Sequence, residues 1–270
     1  MTGHEARAAE MLALFEELAL RAGAVAASVC AGTFDVEVKA DDSPVTRADA
    51  EAEAIILEGL GRNFPGVPCV AEEAASAGQL LDVGDADFFL VDPLDGTREF
   101  VARRNDYTVN IALISGGAPV AGVVYAPGRN LLYLGGPSGA VEVTTDERHA
   151  EVSRRAIRAR GRRNPPVILA SRSHRTPETD RYIMDFGNAE LVSIGSSLKF
   201  CMIAAGDADI YPRFGPTMQW DTAAGDSVLR AAGGMTRTPE GAPLTYGPRR
   251  DGERIGYANT HFIAEGRAED

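Results

Sequence analysis

The chain reads as a mixed α/β (α+β) protein, and three observations predict this. A long amphipathic helix opens it. Short apolar strands separated by Gly, Pro and Asn fill much of the first half, the pattern of an antiparallel meander. In the second half short apolar strands alternate with helices, the pattern of an α/β layer.

Composition bounds what such a fold does. The chain has 270 residues, enough for one large domain or two smaller ones. Hydrophobic residues make up 44% and charged residues 24%, which is ordinary for a globular protein. Net charge is −12, so a general nucleic-acid binder, which needs a basic face, is excluded. A phosphorylated substrate is not, because a bound divalent cation inverts local charge. Cys30, Cys69 and Cys201 stand far apart, so neither a disulfide framework nor a zinc site is expected. No basic-then-apolar leader and no stretch of transmembrane length are seen. The expected setting is the cytoplasm, with a peripheral place at the inner membrane as the alternative.

In order, Met11, Phe15, Leu18, Ala22, Val25 and Val29 recur at spacings of four and three, which predicts a helix over 5–29. Alternation in 34–39 predicts a half-buried strand. Thr46 with Asp49 three residues on resembles a capping box at the start of a second helix carrying Ile55, Ile56 and Leu60. The same arrangement parks a hydroxyl and a carboxylate together. Val67 to Ala71 is a short strand ending in Glu72-Glu73, with 74–78 reading as loop.

Phe88 to Val91 is a buried strand running into Asp92-Pro93-Leu94-Asp95-Gly96-Thr97. Pro93 forbids helix at Asp92, so the strand is expected to stop and present Asp92 and Asp95 from one tight turn. A helix starting at Gly96-Thr97 points bare N–H groups forward. Two hard oxygen ligands beside such a start suit Mg²⁺ on one side and phosphate on the other. An ordinary Asx-type turn fits the same residues.

Strands over 107–114, 120–125, 131–134 and 140–143 complete the meander. Residues 148–163 carry seven arginines, expected as a solvated face or bridging loop, and the domain boundary is placed here. Beyond it come a strand at 167–170, a helix at 178–186, a strand at 191–194, Gly195-Ser196-Ser197 opening a helix at 198–205, and a strand at 208–211. A helix over 221–232 stops at Gly233-Gly234, and a strand at 255–263 closes the chain. Asp221 is a good N-cap. It is also a fourth acid at an element start, with Glu72, Asp92 and Asp95. Together the four are the right supply for a carboxylate cage holding two or more Mg²⁺ ions.

Asp92-Pro93-Leu94-Asp95-Gly96-Thr97, followed by Trp220-Asp221-Thr222-Ala223-Ala224-Gly225, resembles the paired signature of the inositol monophosphatase superfamily, which comprises Mg²⁺-dependent, lithium-sensitive phosphatases. Within it the similarity is closest to the bacterial 3′(2′),5′-bisphosphate nucleotidases. It is carried by Ser43-Pro44-Val45-Thr46 with Asp49, by Ser171-Arg172-Ser173-His174, by Gly195 to Cys201 and by Tyr211 to Thr217. The resemblance implies a layered αβαβα sandwich divided into 1–150, with most metal ligands, and 151–270, with Asp221 and the nucleotide side. It implies Glu72, Asp92, the Leu94 carbonyl, Asp95 and Asp221 as ligands of two or three Mg²⁺ ions. Asp49 and Thr97 are implied to orient and deprotonate the attacking water, and the Gly96 and Thr97 amides to receive phosphate. Gly195, Ser196, Lys199, Arg213 and His174 are implied to face the nucleotide. The family often has a third acid after Glu72-Glu73; here Ala74 stands there, which leaves the role of Glu73 open.

The implied reaction removes the 3′-phosphate of adenosine 3′,5′-bisphosphate (PAP), giving AMP, with 3′-phosphoadenylyl sulfate (PAPS) as a second substrate and a part in sulfur assimilation. The alternatives are an inositol or sugar phosphatase of the same superfamily and a non-catalytic nucleotide sensor. A haloacid-dehalogenase-type phosphatase is disfavoured, because its two aspartates are separated by one residue. The oligomeric state stays open between monomer and homodimer.

Overall fold

The computed structural model describes residues 3–39, 44–171, 175–252 and 254–268. His174 lies outside the described residues, with Ser43, Arg172 and Ser173.

Helix α1 (Gly3–Ala31) forms where the apolar spacing predicts it. Met11, Phe15, Leu18, Ala22 and Val29 are buried, and Ala26 takes the inward place expected of Val25. Each large side chain so buried contributes roughly 1.5–3 kcal/mol. Next come β1 (Val36–Val38) and β2 (Pro44–Thr46), which pair only with each other. The expected half-burial of 34–39 is incorrect. Val36 and Val38 are 42% and 68% exposed, because it is β2 and not β1 that packs against the helices at Arg47–Asn63 and Thr97–Val101 among the described residues. Helix α2 (Arg47–Asn63) starts with the predicted capping box.

Strand β3 (Cys69–Ala71) runs straight into α3 (Glu72–Ser76), where loop was expected. The Glu72 and Glu73 side chains suit a helix start, and the small residues behind them tolerate it. Strand β4 (Phe88–Asp95) does not stop at Asp92 as expected but continues to Asp95. Its ladder with the next strand breaks between Asp92 and Asp95, where Pro93 has no N–H to give. Helix α4 (Thr97–Val101) follows. The meander is β5 (Thr108–Ser115), β6 (Ala118–Ala126), β7 (Leu131–Gly136), β8 (Gly139–Thr145) and β9 (Glu151–Ile157). Seven strands form one sheet in the order β3-β4-β5-β6-β7-β8-β9, with β3 and β4 parallel and the other pairs antiparallel.

The arginine-rich segment thus contains an exposed edge strand that extends this sheet past residue 150. Arg154 pairs with Glu16 and Glu151, Arg155 with Glu142, and Arg160 with the buried Asp209. Inward-reaching pairs and charges along an edge discourage pairing with another chain.

The remainder holds β10 (Val167–Ser171), α5 (Pro177–Met184), β11 (Glu190–Ile194), α6 (Leu198–Ala204), β12 (Ile210–Arg213), α7 (Trp220–Ala231), β13 (Met235–Arg237), a hairpin of β14 (Arg249–Asp251) and β15 (Arg254–Gly256), and β16 (Phe262–Glu265). The closing strand expected over 255–263 is two separate strands. Five strands form the second sheet, in the order β11-β10-β12-β16-β13.

The layers run α–β–α–β–α. α1 and α2 cover one face of the large sheet over a core containing Phe15, Leu18, Ile56, Phe89 and Tyr125. α6 and α7 fill the space between the two sheets, in a core from Val70 to Ala264 that joins both halves of the chain. α5 lies against β12. α7 sits directly on the large sheet: a Cβ on Gly135 would fall 2.4 Å from Val228 Cα. That seating brings the first turn of α7 toward the ends of β3 and β4.

Candidate active site and metal centre

The ends of β3, β4 and β12 and the starts of α3, α4, α6 and α7 open onto one cavity of about 650 Å³. It is lined by Glu72, Asp92, Leu94, Asp95, Gly96 and Thr97 from the first half of the chain. Gly195, Ser196, Lys199, Arg213 and Asp221 line it from the second. Every predicted site residue thus lies on this cavity except Asp49, buried behind it, and His174, which is outside the described residues.

Two glycines let the halves meet. A Cβ on Gly96 or on Gly195 would fall 3.0 Å from the same atom, the Asp106 carbonyl oxygen. Gly96 also has φ +88°, a left-handed conformation that a side chain disfavours. Ser196 adopts φ +51° on the opposite wall.

The acids are held by partners, and the Glu72 and Asp92 carboxyls share a side-chain hydrogen bond. Lys39 Nζ donates to Glu72 Oε1 at 2.8 Å and Glu73 Oε1 at 2.6 Å. Asp92 Oδ1 accepts from Leu94 N at 3.0 Å. Ser197 Oγ is 2.9 Å from Asp95 Oδ2 and 2.6 Å from the Asp221 carbonyl, and its one hydrogen serves one of them at a time. Asp221 Oδ2 accepts from Met218 N at 2.9 Å, so Asp221 lies in the first turn of α7 and caps it from within. Among the described residues no three His, Cys, Asp or Glu side chains are gathered closely enough to grip one ion as they stand.

Their electrostatics nevertheless ask for cations. Asp92 is pushed well above the usual carboxylate range by burial first, then by Glu72, Asp95 and Asp221. Asp221 is pushed well up by burial, then by Asp95 and Glu72. Burial also raises Asp95 and Glu72, against the pull of Lys199 on one and Lys39 on the other. Four oxygen donors, one buried and three half-buried, that destabilise one another's charge fit a hard divalent cation. The residues therefore fit a divalent metal ion.

Asp49 is 1% exposed. Both of its hydrogen bonds come from Thr46, from the backbone N and from Oγ1, at 2.8 Å each. Burial pushes its pKa up to about 6 against those two bonds. Thr97 Oγ1 donates to the Leu94 carbonyl at 3.1 Å. So Asp49 and Thr97 are engaged with Thr46 and Leu94 respectively, and not with each other.

The cations face the acids from the second half. Lys199 is 4% exposed. It donates to the Ser196 and Ile194 carbonyls and lies 5.0 Å from the Tyr211 ring centroid. Burial lowers its pKa to about 8, against support from Asp95. Arg213 is 6% exposed and donates to the Pro216 carbonyl at 2.6 Å. This wall is positive, preformed and desolvated, which suits an anionic group.

Three participants escaped the sequence reading. Lys39 sits in an alternating stretch and reads as a solvated charge; no local pattern links it to a glutamate thirty-three residues on. Ser197 reads as part of a helix start, yet it ties Asp95 to Asp221. Tyr211 reads as strand core, and its face carries Lys199.

Comparison with known proteins gives the family and the fold. The model of the inositol monophosphatase family matches residues 7–269. The 3′(2′),5′-bisphosphate nucleotidase CysQ of Escherichia coli K12 is 45% identical over 235 residues, 86% of this chain and 92% of that protein. The CysQ of Salmonella typhimurium LT2 is 43% identical over 248 residues, 91% of this chain and 98% of that protein. Among solved structures, CysQ from Bacteroides thetaiotaomicron superposes with a TM-score of 0.80 at 35% identity, covering 96% of this chain and 98% of that one. An inositol monophosphatase from Anabaena superposes at 0.72 with 26% identity. With the family model spanning nearly all of the sequence, the chain belongs to the inositol monophosphatase family.

Proposed function

We propose that the chain is a Mg²⁺-dependent 3′(2′),5′-bisphosphate nucleotidase, which hydrolyses PAP to AMP and phosphate and takes PAPS as a second substrate. The observation that carries this reading is the division of one cavity. Four acids line one wall, Asp92 buried and Glu72, Asp95 and Asp221 half-buried, and the buried cations Lys199 and Arg213 line the other. A substrate with two separated phosphates satisfies both walls. A monophosphate satisfies one. The similarity to CysQ nucleotidases along most of the chain supports the same reading.

Glu72, Asp92, the Leu94 carbonyl, Asp95 and Asp221 would hold two or three Mg²⁺ ions, which supply charge neutralisation and lower the pKa of water. The chain's own groups do the rest. Asp49 and Thr97 orient the attacking water, and Asp49 takes up its proton. The water oxygen bonds to phosphorus as the bond to the ribose 3′-oxygen breaks, and that oxygen leaves with a proton. The Gly96 and Thr97 amides receive the departing phosphate. Lys199, Arg213, Gly195 and Ser196 hold the 5′-phosphate, with His174 as a further nucleotide-facing residue. The setting is the cytoplasm, where three free thiols are at home.

The test is phosphate release from PAP with Mg²⁺, with AMP identified as the product. The expected outcome is stoichiometric AMP and phosphate, abolished by chelation. PAP left intact under saturating Mg²⁺ overturns the proposal.

A further inference from the structure

Helix α3 begins at Glu72, and its first-turn amides need acceptors. The residue before it is Ala71, which has no side chain to cap with. The acceptors come from another helix. Glu53 of α2 is 6% exposed, and both of its oxygens reach α3. Oε2 accepts from Glu73 N at 2.9 Å and Oε1 accepts from Ala74 N at 3.0 Å. A bidentate grip on two successive amides fixes both the position and the rotation of that turn. Glu53 lies four residues after Asp49, on the same buried face of α2. One helix face therefore carries the candidate base and a strut for the candidate ligand.

We infer that Glu53 is a positioning residue of the metal centre: it caps α3 from outside and aims the Glu72 carboxylate into the cavity. The inference rests on the reading of Glu72 as a ligand. The β3–β4 ladder fixes the chain as far as Ala71, and Glu53 fixes the two amides that follow Glu72. The Glu72 side chain is held by Lys39, which comes from the two-stranded arm and not from the layered core. Without Glu53 the first turn of α3 is free to fray, and Glu72 loses its aim before it loses its chemistry.

The experiment measures Mg²⁺ binding to the substrate-free protein by calorimetric titration, for Glu53→Ala, Glu53→Gln and Glu72→Gln, with melting temperature recorded for each. Outer partners of ligands typically set metal affinity by about ten- to a hundredfold. The expected result is Mg²⁺ affinity weakened on the order of tenfold in Glu53→Ala, with kcat at saturating Mg²⁺ falling far less. Glu53→Gln keeps one acceptor and turns a donor toward the other amide, so it falls between wild type and Glu53→Ala. A folded Glu53→Ala with unchanged Mg²⁺ affinity overturns the inference. If Glu53→Ala does not fold, Glu53→Gln decides: weakened binding supports the strut and wild-type binding sinks it. Glu72→Gln separates the two readings. If it binds Mg²⁺ like wild type, the ligand assignment itself fails. If it loses binding while both Glu53 variants keep theirs, only the strut fails.

Discussion

The two walls of the cavity are built on opposite terms. On the acidic wall, Glu72, Asp92, Asp95 and Asp221 lie under burial and mutual repulsion, and all four carboxyls are raised. They are held by partners that an incoming cation can replace or share, such as Lys39 and Ser197. On the basic wall, Lys199 and Arg213 are anchored by backbone carbonyls and need no rearrangement. One wall is a cluster of partnered but mutually destabilised acids, and the other is a finished seat. The difference teaches that loss of an acid should damage turnover, while loss of a cation should damage binding and selectivity.

The largest expected effect lies on the acidic wall. Asp95→Asn keeps the shape and one acceptor but removes a charge, and kcat/KM on PAP should fall on the order of a thousandfold with little change in melting temperature. Wild-type Mg²⁺-dependent turnover in that variant would break the comparison.

Asp49→Asn should lower kcat by about a hundredfold or more, as loss of a general base does. The pH profile sharpens this. With the Asp49 pKa near 6, wild-type kcat should decline as pH falls through about 6. Stability has the opposite sign. A carboxyl raised on folding contributes stability that is present below its unfolded pKa and lost as pH rises through the folded one. Asp49→Asn should therefore gain on wild type, on the order of 1 kcal/mol, between pH 4 and pH 8 in urea melts without Mg²⁺. Its gain being equal at both pH values would show that Asp49 is not raised.

On the basic wall, Lys199→Met should raise KM for PAP by roughly tenfold to a hundredfold, the worth of a lost charged hydrogen bond, with a smaller change in kcat. The same variant should barely alter KM for a monophosphate. Equal losses on both substrates would make Lys199 a structural lysine.

The smallest effect expected is on stability. Gly195→Ala puts a methyl 2.9 Å from Glu99 Cγ and 3.0 Å from the Asp106 carbonyl. It should cost about 1–3 kcal/mol and displace Ser196. A melting curve matching wild type would show that the two walls have slack between them.

The walls also differ in how legible they were. Asp92 to Thr97 is one contiguous turn, so residue types and order carried its chemistry, and the capping box at Thr46 and Asp49 was local enough to read. Pro93 misled about the strand end, because a bulged ladder tolerates the missing N–H. The alternation in 34–39 misled about burial, because periodicity reports which residues share a face and not whether anything covers it. The contacts that tie the site together were out of reach: Lys39 to Glu72, Ser197 to Asp95 and Glu53 to the α3 amides span 20 to 102 residues. Strand β9 inside the arginine-rich segment was also missed, since its charges mask a strand that lies exposed at an edge.

The most direct test of the account compares kcat/KM for PAP, inositol 1-phosphate and fructose 1,6-bisphosphate under one saturating Mg²⁺ concentration. The account predicts PAP to be preferred over inositol 1-phosphate by at least about tenfold, with the preference collapsing in Lys199→Met. Equal kcat/KM on all three substrates would contradict it.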